Sequence, residues 1–428
     1  MGKKGIIVII LYLLVFIVIE ISVWIYNDNL FVEVQKDDNK IKLQLICSNG
    51  DLTWLSVIEN TINEFEKANP NIEIELNFDK SNGLYEEYTR RLAATGKLGD
   101  IIEIKQIDFF KYGYMNELPE SLIQNMKNIY AIDGNVYGVN CHITTTGIIY
   151  NKQIFKSLGL YEPKTYDEFM DICKVIKENG YTPLAVGGGD EWHMKSWLNH
   201  FYINDILINN PEWEEDLKSG KVSWLDEEPR KMFTHIYELF NSGYVDKEWR
   251  TDKDSLMATK IANEDAVMLY SGTWMFNQII NENPNIELGW FFVPNDNGQT
   301  LVREVSDAYW GITNECAEDN EKYQAAIKFL EFYFSDPIYS ENYNKMGAIS
   351  NKVNSKDESK VGIQKEVYDE FYENQNHTKL FLGDENFPSS FQKVVLTAEL
   401  LMLNNEITID EALELCNEGY LSSMLGKE

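Results

Sequence analysis

Polar side chains that pair donors with acceptors recur beside broad aromatic faces wherever apolar runs of this 428-residue chain give way to loops. Asn49 and Asp51 follow one such run, Lys105, Gln106 and Asp108 another and Trp274 a third, and Asp307 and Trp310 stand within a later extended stretch over 301–312. Trp192 stands just beyond the Gly187, Gly188, Gly189 turn. Open α/β sheets take their ligands beyond the carboxyl ends of the strands, because the loops there project side chains into a crevice. A polyhydroxylated ring suits this mixture: hydroxyls need paired donors and acceptors, and C–H faces stack on indoles. Each residue also has an ordinary structural use. Tryptophans pack cores, and Asp51 and Asp108 are placed to cap helices.

Catalysis finds no comparable pattern. With 69 acidic residues, a carboxylate pair at glycosidase separation arises by chance and carries no information. Nucleophile elbows, metal motifs and cysteine–histidine arrangements are absent from the sequence. Cys47, Cys141, Cys173, Cys316 and Cys416 form no C-x-x-C pair, and the five histidines form no H-x-x-x-H pair. No catalytic group, metal or cofactor is therefore expected. The three glycines at 187–189 lack the Lys and Ser/Thr of a phosphate loop. A net charge of −31 repels nucleic-acid phosphates and anionic headgroups, which sets nucleic-acid binding aside.

The elements that position these loops follow from hydrophobic periodicity. Ile41, Leu43 and Leu45 alternate with Lys42 and Gln44, a half-buried strand, and Leu55, Ile58, Ile62 and Phe65 mark one face of a helix that stops at Pro70. Ile72, Ile74, Leu76 and Phe78 alternate again, followed by a helix over 84–95 and an apolar strand over 101–104. This order is that of an α/β unit with helices covering a sheet. Further along, Pro163 precedes Thr165, whose spacing to Glu168 is that of a capping box opening a helix over 166–179. Strands are expected over 182–186 and 266–270, helices over 233–240 and 323–334, and a hairpin turn over 295–298 between extended stretches 290–294 and 301–312. The length exceeds one typical core and implies two lobes.

At the amino end, Lys3 and Lys4 precede an apolar run over 5–26, long enough to span a bilayer. A cleaved signal would end in small residues, yet no alanine occurs before Ala68. Cys47 stands too far on, after Ile46, for a lipid attachment site. The expectation is an uncleaved transmembrane anchor over 1–27, a tether over 28–40, and a binding domain over 41–428 outside the cell membrane.

Three phrases carry a family resemblance. Residues 133–139 read D-G-N-V-Y-G-V, 150–155 read Y-N-K-Q-I-F, and 163–169 read P-K-T-Y-D-E-F. In this order and spacing they resemble the bacterial extracellular solute-binding proteins of ABC importers, in the carbohydrate-type branch that includes maltodextrin-binding proteins. Weaker echoes occur at Gly99, Asp100 and Ile101, at Gly272 to Trp274, and at 347–350. Asn140 departs from the pattern, standing where the family usually has proline. The resemblance implies an α/β two-lobe periplasmic-binding-protein-like fold of type II. Its lobes are discontinuous, about 41–141 plus 307–349 and about 145–305 plus 351–428, with Thr144 and Tyr150 at the hinge. It further implies a monomer that closes on a carbohydrate and delivers it to ABC transporter permease subunits. The alternative is a membrane-anchored sensor that presents its bound state to a receptor kinase or chemoreceptor.

Overall fold

The structure, a computed structural model, describes residues 40–48, 52–78, 85–105, 107–306, 308–353, 355, 360–374, 376–379, 382 and 389–425. The apolar run over 5–26, all of the tether but Lys40, and Asn49, Asp51, Gln106 and Asp307 lie outside these residues. Among the described residues no helix is long and apolar enough to cross a membrane.

Alternating residues build the first sheet. β1 (Ile41–Ile46) hides Leu43 and Leu45 while Lys42 and Gln44 face out, and it pairs in parallel with β2 (Ile72–Asn77) and β3 (Ile101–Ile104). Parallel neighbours need a crossover. Helices Leu52–Ala68 and Tyr85–Ala94 supply it. β4 (Ile129–Ile132) and β5 (Asn135–Asn140) form an antiparallel hairpin, turned by Asp133 and Gly134 at positive φ. The sheet order is β2-β1-β3-β11-β5-β4, so a strand from much later in the chain, β11 (Tyr309–Ile312), closes the gap between β3 and β5. Trp54, Phe65, Trp310, Phe329 and Tyr333 anchor its core.

The second sheet has the order β7-β8-β6-β9, from β6 (Thr146–Asn151), β7 (Leu184–Ala185), β8 (Met268–Gly272) and β9 (Leu288–Phe291). The middle of β6 is apolar because both of its faces are buried: Ile148 and Tyr150 enter one core and Ile149 the other. The helix start forms at Thr165, with the Glu168 N–H donating to Thr165 Oγ1 at 3.2 Å, and the Glu168 carboxylate reaches back one residue beyond the N-cap, accepting the Lys164 N–H at 2.7 Å.

One expectation is corrected. The turn at Asn295 exists, with Gly298 N–H donating to its carbonyl at 3.0 Å, but its flanks do not pair as a hairpin. β9 belongs to the second sheet, whereas the chain beyond the turn forms β10 (Val302–Arg303), parallel to β12 (His377–Thr378), and then enters the first sheet as β11.

The chain passes between the sheets through paired segments. Ile143 bridges Ile349, and Thr144 bridges Val305, both antiparallel. Asn140 uses what a proline lacks: its N–H donates to the Asn128 carbonyl at 3.1 Å, and its Nδ2 donates to Ala308 O at 2.9 Å. All five cysteines are free and buried.

Candidate functional site

The strand ends of the first sheet gather around a buried carboxylate. β3 reads Ile101, Ile102, Glu103, Ile104, every one buried. Removing a carboxylate from water is strongly unfavourable unless donors meet it. Here the Ser48 N–H (2.7 Å), the Ser48 hydroxyl (2.9 Å) and the Trp54 indole N–H (3.1 Å) all donate to Glu103 Oε2. The other oxygen, Oε1, lies 3.5 Å from Lys105 Nζ. Tyr85 donates its hydroxyl to the Glu103 carbonyl at 2.7 Å, and burial first, then the Glu103 charge, pushes its phenol well above the usual range. Tyr85, Glu86, Thr89 and Lys105 line a small hollow beside this strand end.

Trp54 ties the cluster to the crossing. Its ring stands edge-on to His142 at 5.5 Å and stacks on Trp310 at 5.8 Å. Trp310 itself is 0 % exposed, with Tyr333 edge-on at 5.7 Å. The ligand role expected for Trp310 is therefore corrected: an indole packed on both sides in the core has no face to offer.

At the second sheet, the loops after β7 and β8 bring Trp192 and Trp274 together, with ring centroids 6.3 Å apart and planes at 58°. Trp192 is 42 % exposed, unusual for so large an apolar group. Two glycines make this placement feasible. A Cβ on Gly272 would lie 1.9 Å from Trp274 Cζ3, and one on Gly188 would lie 2.4 Å from Trp249 Cε3. The first lets the Trp274 indole fold back over its own strand; the second lets the chain near Trp249 close over the turn preceding Trp192. Thr273 in turn touches the crossing, where a Cβ on Gly347 would stand 2.5 Å from its carbonyl oxygen.

Among the other expected site residues, Lys105 is where the sequence placed it, at the end of β3. Asp108 opens the short helix Asp108–Lys111, and its side chain lies outside the described part. Thr144 sits in the crossing, exchanging both backbone hydrogen bonds with Val305 at 3.0 and 2.8 Å. Tyr150 does not. It is 6 % exposed, donates to Glu162 Oε1 at 2.7 Å and packs on Phe155 at 4.2 Å, inside the second unit, because β6 has by then run well into its sheet. Sequence reasoning missed Glu103, Ser48 and Trp54. The available signal was Glu103 itself, a charge interrupting a short apolar strand.

The family model of bacterial extracellular solute-binding proteins matches residues 52–339, more than half of the chain. The chain belongs to that family. Among the relatives of this solute-binding protein is the multiple sugar-binding protein of Streptococcus mutans, 25 % identical over 320 residues, 70 % of this chain and 74 % of that protein. The melibiose/raffinose/stachyose-binding protein MelE of Bacillus subtilis is 25 % identical over 242 residues, 53 % of this chain and 54 % of that one. In fold, this solute-binding protein is similar to the binding protein RafE in complex with raffinose, with a TM-score of 0.75 at 21 % identity, covering 89 % of this chain and 99 % of that chain. The two-lobe α/β architecture is thus that of the solute-binding proteins.

Proposed function

We propose that this solute-binding protein captures a carbohydrate between its lobes and delivers it to the permease of an ABC importer. The observation that carries the reading is the Trp192 and Trp274 pair at the strand ends of the second sheet, with Trp192 42 % exposed. Sugar C–H faces stack on such rings, and the relatives named for sugars agree with it. Lys105 supplies a donor from the first sheet, and Asn49, Asp51, Gln106, Asp108 and Asp307 remain proposed hydroxyl partners on sequence grounds. The lobes close as a monomer about the crossing that contains Thr144. The apolar run over 5–26 holds the domain to the outer face of the membrane. The sensor alternative is not carried forward, since the relatives matched bear the names of binding proteins and transporter components.

A thermal-shift screen of the soluble part against neutral oligosaccharides tests the class of ligand, since a ligand at a hundred times its Kd adds about 2.7 kcal/mol of stability. Trp274→Ala is expected to lower affinity roughly thirtyfold or more, as loss of an anchor typically costs ~2 kcal/mol or more. Normal affinity in a destabilised Trp274→Ala protein would remove this residue from the site.

A further inference from the structure

Glu103 lies on a strand buried on both faces, where side chains are ordinarily apolar, and it is 1 % exposed. Its two oxygens are used differently. Oε2 gathers three donors from two places in the chain, the loop just beyond β1 (Ser48) and the first turn of helix Leu52–Ala68 (Trp54). Bonds to an ionised acceptor are roughly twice as strong as neutral ones, so this oxygen fixes the Trp54 ring between Trp310 and His142. Oε1 lies 3.5 Å from the Lys105 ammonium. Lys105 is 36 % exposed against 1 % for Glu103; the cation is what this strand end shows to solvent, and the anion stands behind it.

Resting on the carbohydrate reading above, we infer that Glu103 is a positioning residue with two effects: it holds Ser48 and Trp54 in place, and it offsets the Lys105 charge so that this wall prefers an uncharged sugar to an acidic one. The offset is local. A lysine with no carboxylate behind it would draw a sugar carboxylate, whereas the long-range field of one backed by a carboxylate is largely cancelled. The net charge of −31 acts in the same direction by repelling acidic ligands at a distance.

The test compares the full soluble domain with Glu103→Gln and Lys105→Gln. Neutral probes are raffinose, stachyose, mannobiose and diacetylchitobiose; the acidic probe is digalacturonate and the cationic probe is fully deacetylated chitobiose. Calorimetry gives each affinity relative to the tightest neutral probe. Glu103→Gln is expected to raise the relative affinity for digalacturonate at least tenfold, and Lys105→Gln to raise that for the cationic disaccharide at least tenfold. Relative affinities unchanged in the folded variants, or a wild-type preference for digalacturonate, would overturn the charge role. Where Glu103→Gln does not fold, Lys105→Gln decides it. The positioning role has a readout without ligand: the Trp54 indole N–H resonance, assigned by its loss in Trp54→Phe, is expected to move in Glu103→Gln and in Ser48→Ala. A resonance that stays in place in both would overturn it. Failure of the wild type to bind any probe would count against the carbohydrate reading and the charge role built on it, leaving the indole measurement to decide the positioning role separately.

Discussion

The hydrogen that Gly272 carries in place of a side chain is what allows the Trp274 indole to lie against its own strand. A methyl group there would stand 1.9 to 2.3 Å from three atoms of the six-membered ring, so Gly272→Ala must turn the indole away. The expected outcome is a loss of sugar affinity approaching that of Trp274→Ala, with the unliganded fold weakened by about 1–3 kcal/mol from overpacking; calorimetry and denaturant titration on one sample measure both. Glu370 gives a pH signature. Burial, with Glu162, Glu373 and Glu366 adding their charges, raises its carboxyl from 4.5 to about 7. The unfolded chain releases this proton at lower pH than the folded one, so stability is full below about pH 4.5 and declines as pH rises toward 7. Glu370→Gln is expected to flatten that decline, leaving the melting temperature near the wild-type value at pH 4 and above it at pH 8. The place of Trp274 just after a strand was legible in the sequence because a strand-end turn and a family phrase coincide there. Glu103 was not, because a glutamate in a short apolar run does not say which donors will reach it; those come from Ser48 and Trp54, some fifty residues earlier in the chain.

Among the elements, the crossing shows most clearly how one side chain joins several segments. Asn351, 0 % exposed, accepts the Asn128 N–H at 2.8 Å and donates its amide to the carbonyls of Asn128 at 3.0 Å and Asn140 at 2.8 Å. Asn128 also donates to Ser306 Oγ at 2.7 Å and accepts from Lys379 Nζ. Asn351→Ala removes the acceptor of the buried Asn128 N–H and a donor to the Asn140 carbonyl, each such group costing about 1–3 kcal/mol, while the Asn128 carbonyl keeps the Asn140 N–H. A clear fall in unfolding free energy is expected by denaturant titration; Asn351→Asp, which keeps the acceptor but turns a buried carboxylate oxygen towards the two carbonyls, is expected to fall at least as far, and an Asn351→Ala protein of wild-type stability would overturn this role. Alternation and capping signals identified β1, β2 and the helix at Thr165 because their determinants are local. Pairing after the Asn295 turn was misread for the opposite reason. A turn signal fixes a change of direction, while the choice of sheet for β10 and β11 depends on residues around 377 and 139 that no local window contains.

For the whole molecule, the proposed closure about the two paired crossings has a readout in overall size. Small-angle scattering is expected to give a smaller radius of gyration with saturating sugar than without; an unchanged radius would indicate a rigid pocket. The two-lobe architecture was legible from length, strand order and the three family phrases, since all concern the path of the chain rather than individual contacts.

The free cysteines have a practical consequence. Cys47, Cys141 and Cys316 sit in the core of the first sheet, and Cys173 and Cys416 in a core of the second, so the molecule carries its own chemical reporters on each half. A thiol reagent applied in a denaturant series, with peptides read by mass spectrometry, would time the exposure of the two sets separately. Coincident labelling of all five would mean that the halves unfold as one cooperative body; staggered labelling would show which half opens first, without a single engineered residue.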